Sequence, residues 1–320
     1  MTDFVEPVYQ QLGVSNSEAS SFSTCELAWF FGHHPETKLE PKSMGPALTR
    51  GIIGHKALEV FYDSLKREAN YDDAAQAAID VVNGECLKAM ASEDLDKLAM
   101  LNKLRVLIQK YAEHYRDDIE NWEILGVEDF FTLEWQNSSS VYLPMRLDLV
   151  IYQRGGKYKR EITPVDHKFT NDFWTHWKLA LNSQQPLYIK ALRSAKFKGK
   201  LATISRRSIL NQIRTRDVKN PQPHDTFKRD FILPNSATID QLFDNHLKIA
   251  RRISVLKRMP MGEVLNVVTA AWGGPNCQFC SFKSLCLIRL EGGNIDNAIA
   301  ADYKRSSYGY PSMEELSGER

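Results

Sequence analysis

From Trp122 onward the apolar residues of this chain change their spacing from three-and-four to two, the mark of strands replacing helices. Over residues 141–152, Val141, Leu143, Met145, Leu147, Leu149 and Ile151 occupy one face of an extended backbone. Arg154-Gly155-Gly156 supplies turn chemistry and residues 158–169 read as a second strand, so the pair forms a hairpin. A row of apolar side chains needs a cover, and the flanking sequence offers helices. Ser15 or Ser17 caps a segment carrying Phe22, Cys25, Leu27 and Trp29. Helical spacing then runs over residues 47–66, where Leu58, Phe61 and Leu65 share a face with His55, and over 72–91 and 95–115. It resumes over about 171–193, with Pro186 in a first turn or at a kink. Strands near 201–210 and 226–233 precede a helix capped by Ser236 that runs to about Lys257. The expected fold class is α/β: a central mixed sheet flanked by helices, with a helical N-terminal part.

With 320 residues, 43% of them apolar, the chain can bury one large core or two modest ones, and it has no linker rich enough in Gly, Ser or Pro to cut it. The organisation read from it is a single domain over 1–290, comprising a helical part (13–120), a sheet core (121–260) and a cysteine segment (261–290), followed by a flexible tail (291–320). No run of about 18 apolar residues is present, and the first residues lack the basic start of a signal peptide, so a cytoplasmic location without membrane contact is expected. Forty-one basic against forty acidic side chains leave no global sign of a nucleic-acid partner.

The chemistry concentrates in the hairpin. Asp166 and Lys168 lie two apart on a strand and project together, while His167 points to the other side. Asp148 and Arg146 face away from the apolar row of the preceding strand. If the strands pair, the two aspartates can converge on one Mg²⁺ or Mn²⁺, cations that prefer carboxylate oxygen, and Lys168 can position a water or balance charge on a phosphate. Taken alone, an Asp-Lys pair two apart on a strand is most often an exposed ion pair of little weight.

In order along the chain, RGIIGHKALEVFY, MRLDLVIY, ITPVDHKF and QQPLYIKAL resemble the RecB-like branch of the PD-(D/E)XK nucleases, which includes the AddB nuclease domain, the CRISPR-adaptation exonucleases and the exonuclease V family. The resemblance runs over roughly residues 13–290. It implies a restriction-endonuclease-like sheet, with His55 of GxxxH, Asp148 and Asp166 as metal ligands and Lys168 as the catalytic lysine. Gln184 and Tyr188 match QxxxY and would lie along DNA or brace the active site. Glu128 falls where relatives often carry a glutamate, although an acid between strands is usually just solvated. Arg146 departs from the pattern, since relatives more often have glycine two residues before the first aspartate.

Five cysteines in a reducing compartment point to metal binding before disulfides. Cys277, Cys280 and Cys286 form C-x2-C-x5-C, a spacing suited to a polynuclear cluster or a zinc ion, and a fourth ligand is needed. By resemblance to iron–sulfur members of the branch, the fourth is Cys25 and the group is a 4Fe–4S cluster of structural role. Zinc is the alternative, with His33 or His34 in place of Cys25. Cys86 reads as a buried small apolar residue.

Between Lys190 and Lys219 stand ten Lys and Arg residues against one acid, Asp217, a run able to track phosphates or to form a solvated face. Arg146, Arg206 and Arg207, with Trp174 and Trp177, are the candidate DNA contacts. Phe173 is a third ring nearby, and Trp177 and Leu181 also fit a helical core stripe, so at least one ring should be buried. The function expected is a metal-dependent DNA nuclease, an exonuclease on single-stranded ends in recombination, repair or phage DNA processing, with a helicase or recombination protein as a further partner. The rival readings are a non-catalytic DNA-binding scaffold and a structural zinc protein.

Overall fold

The computed structural model describes residues 12–135, 138–195, 202–217, 219 and 222–306. In chain order, β1 (Leu12–Gly13), α1 (Asn16–Thr24), α2 (Glu26–His33) and β2 (Leu39–Pro41) precede three long helices, α3 (Pro46–Lys66), α4 (Tyr71–Ala91) and α5 (Leu95–His114). A short α6 (Asp118–Asn121) leads into β3 (Trp122–Trp135), β4 (Ser138–Gln153) and β5 (Glu161–Thr170), then α7 (His176–Ala180) and α8 (Gln184–Ser194). Next come β6 (Thr203–Ile204), β7 (Ser208–Arg214), α9 (Pro223–Thr226), β8 (Phe227–Ile232) and α10 (Ser236–Leu256). The chain continues through α11 (Met261–Val267), a 3₁₀ turn at Cys277–Phe279, α12 (Lys283–Leu290), α13 (Asp296–Asp302) and β9 (Tyr303–Arg305). Side chains fix several of the starts. The Ser15 hydroxyl accepts from Glu18 N–H at 3.1 Å, Asn70 from Asp72 N–H at 2.9 Å and Asp94 from Lys97 N–H at 3.0 Å.

The chain divides into two compact units, one of residues 44–131 and 146–240, the other of 1–43, 132–145 and 241–320. One division falls in the loop between β2 and α3, and the other three fall inside β3, β4 and α10, where no linker composition marks them.

In the first unit, β4 and β5 pair antiparallel through Leu149↔Val165 and Ile151↔Thr163, β5 and β7 pair parallel through Asp166↔Leu210 and Lys168↔Gln212, and β7 and β8 pair antiparallel. The result is a mixed sheet, as the sequence predicts. Leu149, Ile151, Val165, Ile209 and Ile213 bury one face against α3, α4 and α5 in a single apolar cluster with Leu58, Phe61, Ala78, Leu104 and Ile108. His167 lies on that face, its ring stacked on Tyr62 at 5.5 Å and its Nδ1 3.0 Å from Asn211 Nδ2. Asn211 also donates to the Tyr111 hydroxyl at 2.5 Å, which bonds the Tyr62 hydroxyl at 2.6 Å. Burial pushes His167 down to about 3, so the imidazole is neutral. Cys86 is buried in the same cluster, remote in sequence from the other cysteines.

In the second unit, β1 pairs parallel with β4 at Leu12↔Val141, and β2 pairs antiparallel with β9 at Glu40↔Lys304. Glu18 is buried between Trp29 Nε1–H at 3.0 Å and the Lys257 ammonium at 2.8 Å. Segment 291–306, expected as part of a flexible tail, instead forms α13 and β9, with Tyr303 buried and stacked on Phe282. Residues 307–320 lie outside the described residues.

Three local expectations change. The helix over 171–193 is interrupted, because Asn182 Oδ1 accepts from Gln185 N–H at 3.1 Å and starts α8 afresh, with Pro186 in its first turn, where no N–H is needed. The strand over 201–210 becomes two, β6 and β7. The cap of α10 is Asn235, whose Oδ1 accepts from Thr238 N–H at 2.7 Å, in place of Ser236. No helix among the described residues is long and apolar enough to cross a membrane.

Candidate metal and catalytic centre

Three elements of the first unit bring three potential metal ligands together. His55 from α3, Glu128 from β3 and Asp148 from β4 each offer a donor atom, and these atoms lie within 4.8 Å of one another. His55 Nδ1 is 3.3 Å from Asp148 Oδ2. The same oxygen accepts from His167 N–H at 2.8 Å, so Asp148 ties β4 to β5 just past the end of their backbone ladder. Glu128 reaches the cluster by a local departure from strand geometry: its φ is +52°, a left-handed conformation that costs an ordinary residue roughly 1–2 kcal/mol. Such strain persists where it aims a side chain. Gly54, next to His55, allows Phe169 to close on α3, since a Cβ there would meet the Phe169 ring at 2.4 Å. Gly51, the glycine of GxxxH, has open space instead.

Asp166 and Lys168 share a face of β5, as their spacing predicts. The carboxylate is fully buried, and Lys168 Nζ stands 3.1 Å from Oδ1 and 3.0 Å from Oδ2. Asp166 is ion-paired with Lys168, and Glu128 is the third residue whose donor atom falls within 4.8 Å of those of His55 and Asp148. Gln184 donates to the Tyr188 hydroxyl at 2.5 Å, and that hydroxyl donates to the Arg146 carbonyl at 3.1 Å. Tyr188 is buried. The pair thus braces β4 two residues before Asp148 and does not lie along a ligand surface. Gln185, its unmarked neighbour in sequence, is fully buried, and its amide favours the ionised form of Asp166, although neither amide atom makes a formed hydrogen bond.

Electrostatics suit a divalent cation. Burial pushes Glu128 up to about 7, assisted by the Asp148 charge and opposed by Arg146. Burial likewise raises Asp166 to about 7, against the pull of Lys168. Burial lowers His55, with Asp148 opposing, which keeps its ring neutral and its lone pair available. Burial alone would lower Lys168, but Asp166 and Asp148 hold it above the ordinary lysine value. Two carboxylates and a neutral imidazole form a hard donor set fitted to Mg²⁺ or Mn²⁺. The buried Gln185 amide forms no hydrogen bond and marks a corner where a water is wanted, next to the Asp166 Oδ2 that Lys168 pairs.

The candidate DNA contacts fare unequally. Arg146 is half-exposed, with Nε 2.7 Å from Glu128 Oε2. Arg206 is exposed. Arg207 is committed elsewhere, bonded to Glu161 at 2.5 Å and packed 3.0 Å over the Tyr158 ring, so it serves the fold. Trp174 is half-buried under Lys178, Phe173 lies under Arg214, and Trp177 and Leu181 are 64% and 77% exposed. The expected core stripe is absent, because α7 is only five residues long and turns both side chains outward. Within the basic run, Lys190 pairs with Asp240 at 2.8 Å and Arg216 with Asp172 at 3.0 Å, while Lys196, Lys198 and Lys200 lie outside the described residues.

In the second unit, the four expected cysteines are neighbours. Ala271 N–H donates to Cys25 Sγ at 3.5 Å, and Cys277 Sγ–H donates to Ala271 O at 3.1 Å. Burial, then the nearby Cys280, Cys25 and Cys277, push the Cys286 thiol up to about 11; Cys280 is raised by burial and by Cys25 and Cys277. No three of their sulfurs lie within 4.8 Å of one another. Glu26 Oε2 accepts from Thr269 N–H and Oγ1–H, both at 2.9 Å, and binds α2 to the same segment without any metal.

The family model of the PD-(D/E)XK nuclease superfamily matches residues 13–287, which include every residue of both sites. No curated protein matches the chain at a significant level.

Proposed function

The chain belongs to the PD-(D/E)XK nuclease superfamily, and from that premise we propose that it is a metal-dependent DNA exonuclease acting on single-stranded ends. The observation that carries the reading is the convergence of His55, Glu128 and Asp148 within 4.8 Å, with the Asp166–Lys168 pair beside them. A bound Mg²⁺ or Mn²⁺ supplies Lewis-acid polarisation of the phosphodiester and a water of lowered pKa. Asp148, Glu128 and His55 would hold it, with Asp166 as the further acid. Lys168, kept charged by Asp166, orients the attacking water and offsets the negative charge that grows on the phosphate. Gln184 and Tyr188 fix the strand that carries Asp148. The exposed Trp177 ring and the half-buried Trp174 ring support single-strand preference, since unpaired bases stack on such rings.

The test is incubation of the purified chain with end-labelled single- and double-stranded DNA, with and without Mn²⁺. Mononucleotide or short-oligonucleotide release from the single strand, abolished by chelation, is expected. Intact DNA under all conditions would remove the reading, and internal cuts would replace exonuclease by endonuclease.

The second site extends the proposal. Cys25, Cys277, Cys280 and Cys286 hold a 4Fe–4S cluster, a reading supported by four adjacent thiols with a 3₁₀ turn between Cys277 and Cys280. Its role is structural, joining the α1–α2 turn to the 3₁₀ turn and α12. Anaerobically purified protein is expected to be brown, with iron and sulfide in stoichiometric amount and absorbance near ~400 nm. Colourless protein with one zinc and no iron would overturn the cluster and leave the nuclease reading intact.

A further inference from the structure

Arg146 stands on β4 two residues before Asp148, on the same face of the strand. Its Nε is 2.7 Å from Glu128 Oε2, and Glu128 is one of the three gathered ligands. One carboxylate is therefore asked to serve two cations. A divalent ion drawn to Glu128 meets the guanidinium as a like charge a few ångströms away, and the repulsion is strong because Glu128 is largely withdrawn from water. The guanidinium is the group free to relieve that repulsion, since the strand is fixed. The Arg146 carbonyl accepts from the Tyr188 hydroxyl at 3.1 Å, and Gln184 holds that hydroxyl in turn. The side chain can move, being 42% exposed at its present position.

Resting on the nuclease reading, we propose that Arg146 is a metal-released phosphate contact. Before metal binds, it is the counter-ion of Glu128. When the divalent ion takes Glu128, the guanidinium turns out to a phosphate of the nucleic-acid strand, whose oxygens its planar fork matches. The arrangement couples the two ligands: the ion is held less tightly in the absence of a strand, and the strand is held less tightly in the absence of the ion. A glycine at this position would provide neither the competition nor the contact.

The experiment has two arms, both on the full chain. In the first, Mn²⁺ alone is titrated without DNA and free Mn²⁺ is read by electron paramagnetic resonance. Arg146→Ala is expected to bind Mn²⁺ about tenfold more tightly than the unsubstituted protein, since a competing cation is gone. Arg146→Lys, which keeps the charge, should remain near the unsubstituted value. In the second arm, a single-stranded oligonucleotide is bound in the presence of Mn²⁺ by proteins that also carry Lys168→Ala, so that cleavage is slow on the time scale of the binding measurement. Arg146→Ala should weaken binding about tenfold and reduce the salt slope by about one. Arg146→Lys should restore the charge-dependent slope but not the full affinity, because a point charge does not replace the fork. Unchanged or weaker Mn²⁺ binding by Arg146→Ala overturns the competition, and unchanged DNA affinity overturns the contact. If the unsubstituted protein cleaves no DNA, the nuclease reading falls, and the Mn²⁺ arm still decides whether Arg146 competes for Glu128.

Discussion

Lys168→Ala is expected to lower the single-turnover rate of DNA cleavage by about a hundredfold to a thousandfold, the usual loss when one preorganised charge aimed at the transition state is removed. Lys168 is the cation nearest the buried Asp166 carboxylate, within 3.0 Å, and it is held charged by that neighbour. The substitution acts on Asp166 as well. Without the ammonium, burial of the carboxylate is opposed only by the Gln185 amide, and its proton affinity rises further above the present value of about 7. The sign of the stability effect follows. A carboxyl whose folded pKa exceeds its unfolded one contributes most below the unfolded value, and that contribution is lost as pH rises toward the folded value. The variant's unfolding free energy, relative to that of the parent, should therefore decline with pH through neutrality, and Lys168→Ala with Asp166→Asn should lose that decline. Chemical denaturation at several pH values reads this directly. Cleavage by Lys168→Ala at the parent rate would remove the lysine from the chemistry.

The parts legible in the sequence are those fixed by periodicity. A period of two placed Asp166 and Lys168 together and sent His167 to the opposite side, where it stacks on Tyr62. Helical spacing located α3, α4 and α5 to within a residue or two. Glu128 was harder, because its place in the cluster depends on one residue with φ +52° inside a strand, and no spacing rule registers a single backbone reversal. Gln185 was hidden by the motif glutamine beside it, and its importance appears only as burial against Asp166. The exposed pair Trp177 and Leu181 shows the opposite error: two apolar residues at helical spacing do not make a core face when the helix has five residues. The boundaries of the two units were invisible for a further reason. All but the one between β2 and α3 cut through β3, β4 and α10, and the chain composition does not change where a strand passes from one core to another.

Asp148 is the residue at which fold and chemistry can be separated by experiment. Its Oδ2 faces His55 Nδ1 at 3.3 Å and accepts from His167 N–H at 2.8 Å, at the point where β4 and β5 part. Asp148→Ala removes both roles. The His167 N–H then loses its acceptor, at a cost of about 1–3 kcal/mol for a buried donor, and Mn²⁺ binding and cleavage are lost together. Asp148→Asn keeps a carbonyl oxygen for that N–H but lacks the negative charge, so its denaturation midpoint should stay close to the parent's. Metal affinity should nevertheless fall by about tenfold or more, since an ionised oxygen is replaced by a neutral one in a set of three. The decisive comparison is between the two variants. If Asp148→Asn binds Mn²⁺ as the parent does, Asp148 is not a ligand and its role is only to join the strands. If Asp148→Asn is as unstable as Asp148→Ala, the hydrogen bond to His167 depends on charge and the amide cannot stand in for it. A stable Asp148→Asn that neither binds Mn²⁺ nor cuts DNA places this carboxylate in the metal centre, because the fold has then been held constant while only the charge changed.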